Sequence, residues 1–215
     1  MENFKEFEPD HDVIEGNELF KTVLLDPKRA FKFIHKYEYE NHVKVLLVLA
    51  GISGTFDRAV NNNSGDDMSL GGVIAMSVIV GGLLGWISYY LYAALMSWTG
   101  GWLNGNAGTS DLLRIIAYAN IPSILGLIIM IFQLILVGNS YFQSTIYLDE
   151  YGTAVTILYY GLAIAQLGLG IWNVFLLVIG VAEAQQFGYG KAFLNVILPI
   201  IVIVVPIALL VLLFL

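Results

Sequence analysis

From residue 43 onward the chain alternates long apolar runs with short polar connections. Five runs stand out, at about 43–60, 70–98, 112–137, 154–182 and 192–215. Each is near or above the roughly 20 residues a helix needs to cross about 30 Å of hydrocarbon. None alternates apolar and polar residues as barrel strands do, and their length argues against buried strands. The pattern predicts an all-α fold, a polytopic membrane protein built as a five-transmembrane-helix bundle.

Two segments precede the runs. Residues 1–18 carry seven acids and one base, Lys5, and read as a disordered, solvated acidic tail. Residues 19–42 hold a different pattern. Asp26 suits a helix cap and Pro27 the first helical position. Ala30, Phe33, Ile34 and Tyr37 then recur at helical spacing, while Lys28, Arg29, Lys32 and Lys36 take other positions. This predicts a basic amphipathic interfacial helix, its aromatics in the bilayer and its cations toward anionic lipid. The same pattern also suits a helix packed on the protein's own cytoplasmic face.

Composition agrees with a membrane solvent. The chain is 58% hydrophobic and 13% charged, against about 25% charged in soluble domains. Beyond Arg58 the only basic residues are Arg114 and Lys191. With five spans, eight basic residues from Lys21 onward fall on the side of the N-terminus and one, Arg58, on the other. The positive-inside rule then places the N-terminus in the cytoplasm and the C-terminus outside.

The absence of cysteine removes disulfides, thiolate metal sites and thiol nucleophiles. Gly51–Gly54 reads GxSG, a serine motif of intramembrane proteases. A base must lie within hydrogen-bond reach of Ser53. The histidines are His11, His35 and His42, and His42 is about 16 Å away along a helix. Asp57 is a lone carboxylate, too few for aspartyl proteolysis. No enzyme, cofactor, metal site or nucleic-acid partner is expected. The amides Asn120, Gln133, Gln166, Asn173 and Asn195 serve as interhelical glue, and Pro122, Pro199 and Pro206 bend their helices. Ser77, Gly81 and Gly85 form a small-residue stripe in the second span, and Gly161 and Ala165 repeat it in the fourth. Both predict close helix packing, within the chain or, as the alternative, at a dimer seam.

Asp111 and Arg114 open the third span, Glu183 closes the fourth and Lys191 opens the fifth. These four residues predict a cytoplasmic charge cluster in which Glu183 meets Arg114 or Lys191.

The entry segment DPKRAFKFI, the lead GGWLNGNAGTSDLLR, the run LLRIIAYANIP and the later GIWNVFLLVIGVAEAQQFGYGKAF occur here in that order. Together they make the chain resemble the Yip family (Ypt/Rab-interacting proteins), five-span membrane proteins, and in particular its bacterial branch. The matching motif positions are Arg114, Tyr118, Pro122, Trp172, Glu183, Gly188 and Lys191. The resemblance implies a cytoplasmic N-terminus, a bacterial cytoplasmic membrane and no catalytic residues. It implies a role in membrane organisation, or as an accessory to a transport or trafficking complex, with a membrane-protein partner. The competing expectation is a permease or scramblase for a small solute, ion or lipid, acting as a homo-oligomer.

Overall fold

A computed structural model describes residues 14–214 of the chain. The acidic tail therefore lies outside the described residues up to residue 13. Its last part does not: Ile14 is buried, and a first helix, α1, begins at Gly16 and runs to Leu25. Asp26 separates it from α2, Pro27–Lys36, accepting the Arg29 N–H as Pro27 starts the new helix. The stretch read as one amphipathic helix is thus two helices packed on each other.

The remaining helices are α3 (Val43–Asn61), α4 (Leu70–Trp102), α5 (Thr109–Ala119), α6 (Ile121–Val137), α7 (Thr153–Gln185) and α8 (Tyr189–Phe214). Short 3-10 turns, Gly138–Phe142 and Leu148–Tyr151, join α6 to α7. The fold is all-α. Among the described residues four helical stretches are long and apolar enough to cross a membrane: α4, α5 with α6, α7 and α8. The fifth expected run, residues 43–60, forms α3, which is not among these four. Helix α3 carries Lys44, Asp57 and Arg58 within 19 residues, too many charges to stand among them on composition. The four helices expose large side chains on their outer faces, such as Leu83, Ile135, Ile164 and Leu212. Apolar surface on this scale needs lipid around it.

Two apolar cores hold the helices together. The larger lies at one end and joins α1, α2, the start of α3, the end of α4, α5, the end of α7 and the start of α8. The smaller lies at the other end, around Phe56, Val73, Met130 and Phe142.

Helices α3 and α4 touch backbone to backbone. A Cβ added at Gly81 would lie 2.6 Å from the Ile52 Cα, and one at Gly51 would lie 2.8 Å from the Gly85 Cα. Only glycine permits that approach. Ser77, on the same stripe, is buried. The stripe of the fourth span is not packed within the chain: Gly161 and Ala165 are exposed, and a Cβ at Gly161 would meet nothing within 4 Å. Among the described residues no helix covers that stripe.

The apolar face of α2 is also placed differently from a lipid-facing anchor. Ala30, Phe31, Phe33 and Ile34 are buried in the larger core. Gly180 on α7 makes room there, since a Cβ on it would sit 3.1 Å from the Phe31 ring. Phe31 and Phe33 are sheathed by protein, while Tyr37 is exposed, as are Lys28, Arg29, Lys32 and Lys36.

Candidate functional site

Asp111, Arg114, Gln185 and Asn195 lie at the end of the bundle that carries α1 and α2. The segment GTSDLLR starts α5. Gly108 caps it in extended conformation, and Asp111 accepts the Gly108 N–H at 2.9 Å. An acid in the first turn also faces the positive end of the helix dipole. The second Asp111 oxygen takes Arg114 Nη2 at 2.6 Å. Arg114 is 5% exposed, and its Nη1 reaches the Glu40 carboxylate and the Glu38 carbonyl, each at 3.3 Å.

One turn further along α5, the Tyr118 hydroxyl donates to the Asn41 carbonyl. Its ring lies fully buried between Phe20 and Tyr39, with centroids at 6.2 and 6.3 Å. Two side chains of α5 therefore fasten the loop from Tyr37 to His42. That loop needs fastening: Glu38 and His42 both adopt left-handed backbone, at φ 47° and 64°, a conformation that persists when the surroundings impose it.

A second polar knot lies nearby and is sealed from water. Gln185, at the end of α7, accepts the Ala107 N–H at 2.9 Å and donates to Asn195 Oδ1 at 3.3 Å. Asn195 on α8 donates to the Met96 carbonyl and to Thr99 Oγ1, both at 3.0 Å. Gly100 and Gly105 leave room for the Gln185 amide, which a Cβ at either position would strike. Sequence reasoning picked out Asn195 but missed Gln185 and Thr99. The available signal was the pair of glycines flanking the α4–α5 turn.

Between α5 and α6 the helix breaks at Asn120, because Pro122 has no N–H to continue the ladder. Backbone freed at such a break must find partners inside the protein. Asn173 on α7 donates to the Ala119 carbonyl, Asn120 donates to the Ile116 carbonyl at 2.8 Å, and Ser53 on α3 donates to the Ser123 carbonyl at 3.0 Å. The GxSG serine is spent on this joint.

A family model for the Yip1 domain matches residues 21–210. The chain belongs to the Yip1-domain family. No curated protein and no solved structure matches it.

Within this Yip1 domain the expected charge cluster is only half assembled. Asp111 and Arg114 are together, but Glu183 makes no ion pair with Arg114 or Lys191 among the described residues. Arg114 is satisfied by nearer acids, one of them a single turn back on its own helix. Lys191 points to the Leu103 carbonyl at 3.4 Å and lies over the Phe187 ring at 5.8 Å. Of the other motif positions of the Yip1 domain, Pro122 is buried at the joint. Trp172 is 37% exposed with its ring near Phe175, and Gly188 is exposed. The Glu38 and Glu40 anchors were not found from sequence. They belong to an irregular loop, and nothing local marks which acid will meet a distant arginine.

Proposed function

We propose that this Yip1-domain protein is a non-enzymatic component of membrane organisation, or an accessory subunit of a transport or trafficking complex. The observation that carries the reading is the clamp formed by Arg114 and Tyr118. It fixes a compact helical pair with exposed Lys28 and Lys32 at one end of a lipid-embedded bundle, as a docking platform requires. Four amides are spent on structure: the part-buried Asn120 and Asn173 and the buried Gln185 and Asn195 are hydrogen-bonded to their own chain.

The permease reading draws on one feature. Gln133 and Gln166 line a cleft of about 650 Å³ between α3, α6 and α7, together with Asp57. Two experiments separate the readings. Photo-crosslinking from positions 28 and 32 in native membrane is expected to capture a stoichiometric membrane protein. Reconstituted vesicles are expected to show no flux. Robust movement of a solute or lipid by the purified chain alone would establish the permease instead.

The proposal places the protein in a bacterial cytoplasmic membrane with α3 as a fifth crossing. Its 19 residues rise about 28 Å, and its glycine contact keeps it alongside α4. The termini then lie on opposite sides, with the exposed cations of α2 toward cytoplasmic anionic lipid. The chain has no cysteine, so single cysteines at position 18 and after position 215 report without background. Labelling of both from one side would remove the fifth crossing.

A further inference from the structure

The outer face of α2 carries a line of like charge. Lys28, Lys32 and Lys36 recur every fourth residue and all three are exposed, as is Arg29 beside them. Four residues along a helix rise about 6 Å. The helix itself holds no acid. The acids around it have other duties or stand on other elements. Asp26 caps the start of α2 by accepting the Arg29 N–H, and Glu38 and Glu40 pair with Arg114 at 4.0 and 3.3 Å. Glu15 and Glu18 belong to the start of α1, one turn before Lys21. Over residues 14–42 acids and bases balance, five of each, so placement rather than total charge sets this face apart.

The chain ahead of α1 carries a matching pattern. Glu6, Glu8, Asp10 and Asp12 recur every second residue. In extended backbone alternate side chains share one face, about 6.6 Å apart. Pro9 cannot continue a helix and steers Glu8 before it toward extended backbone. Acids at period two therefore keep pace with lysines at period four. Over three rungs the two spacings drift apart by only about 1 Å, which the flexible lysine stem absorbs.

The entry point is also in place. A Cβ on Gly16 would lie 3.0 Å from the Tyr39 hydroxyl. Tyr39 in turn bonds the Ile34 carbonyl through its N–H at 3.0 Å and packs its ring on Phe33, centroids 5.4 Å apart. The start of α1 thus lies beside the Lys36 end of α2, and three rungs lead back from there to Lys28. Attachment through α1 gives this segment an effective concentration on the order of millimolar, which no separate anion of equal charge shares.

We infer that the acidic segment before α1 docks along α2 in extended form, with Asp12 at Lys36, Asp10 at Lys32 and Glu8 at Lys28. It occupies the cations that a partner or anionic lipid would otherwise meet, so an incoming anion must displace it. The inference holds on either side of the membrane and whether or not the protein docks a partner.

Photo-crosslinking within the chain tests it. A photoreactive residue replaces Arg29, beside the line of lysines, and the full chain is reconstituted in vesicles of phosphatidylethanolamine and phosphatidylglycerol. Mass spectrometry of the digest is expected to map the cross-link to residues 6–12 of the same chain. Glu8→Gln, Asp10→Asn and Asp12→Asn together are expected to lower the docked-to-free ratio about tenfold, as three exposed ion pairs supply. Lys28→Glu, Lys32→Glu and Lys36→Glu together are expected to do the same. Adding Glu8→Lys, Asp10→Lys and Asp12→Lys to that triple variant is expected to restore the cross-link, and high salt to weaken it in the parent. The inference is overturned if the neutral segment cross-links like the parent, or if reversing both sides fails to restore the product. It is equally overturned if the cross-link joins two chains, or forms only when phosphatidylglycerol is omitted, since the face then belongs to a second copy or to anionic lipid. The intrachain product needs no partner, so its absence leaves the docking role standing, and a failure to capture a partner leaves this contact standing.

Discussion

The acceptors around Arg114 differ in how much water each sees. The Asp111 side chain is 24% exposed, while those of Glu38 and Glu40 are 77% and 75% exposed. Exposed pairs contribute about 0–1 kcal/mol, whereas removing one partner of a buried pair costs about 3–5 kcal/mol. Arg114→Ala is therefore expected to destabilise by that larger amount, read as a lower thermal midpoint in detergent. Glu40→Gln should shift it by less than about 1 kcal/mol. If the two variants melt alike, Arg114 is not the anchor of the loop. The Gln185 knot obeys the same logic without charge. Gln185→Leu strands the Ala107 N–H and is expected to cost about 1–3 kcal/mol. The adjacency of Asp111 and Arg114 was legible in the sequence because they lie one helical turn apart. The engagement of Glu40 was not, because an irregular loop brings it from 74 residues away.

Helices report their environment unevenly. The long apolar runs were legible because a bilayer imposes a minimum length on every crossing, and α4, α7 and α8 contain the runs near residues 70–98, 154–182 and 192–214. What covers each face was not. The stripe Ala30, Phe33, Ile34 has one periodicity whether it meets acyl chains or, as here, the protein's own core beside α5 and α7. The small-residue stripes likewise look equivalent in sequence, yet Gly51, Gly81 and Gly85 are in backbone contact while Gly161 faces open space. Substitution separates them. Gly81→Ala must push α3 aside and is expected to cost about 1–3 kcal/mol. Gly161→Ala meets nothing and is expected to be neutral or to stabilise by up to about 1 kcal/mol through helix propensity. Equal effects on unfolding in detergent would refute the assigned α3–α4 contact. The seating of α2 has its own test. Phe31→Ala empties a fully buried site and is expected to cost about 3–5 kcal/mol. Hydrogen exchange should then rise across residues 16–36 while α6 stays protected.

At the scale of the molecule, polar groups are concentrated where helices end or break, and the outer faces of the long helices are left to aliphatic and aromatic side chains such as Leu83, Ile135, Trp86 and Phe175. The five amides had been expected to act as glue between helices. Asn173 does so at the Asn120 break and Asn195 in the sealed knot, whereas Asn120 bonds back to the Ile116 carbonyl of α5, which it caps, and Gln133 and Gln166 border a cleft. Sequence could identify amides in membrane but not these duties, since the duty depends on which carbonyl a break has freed. The break itself divides one passage through the bilayer into an upper piece of 11 residues and a lower piece of 17. The upper piece alone carries the arginine and tyrosine that grip the surface helices. A load applied to those helices is thus delivered to a short strut and meets a joint before reaching the greasy half of the passage. A protein pulled upon from one side can yield there without dragging its lipid collar along.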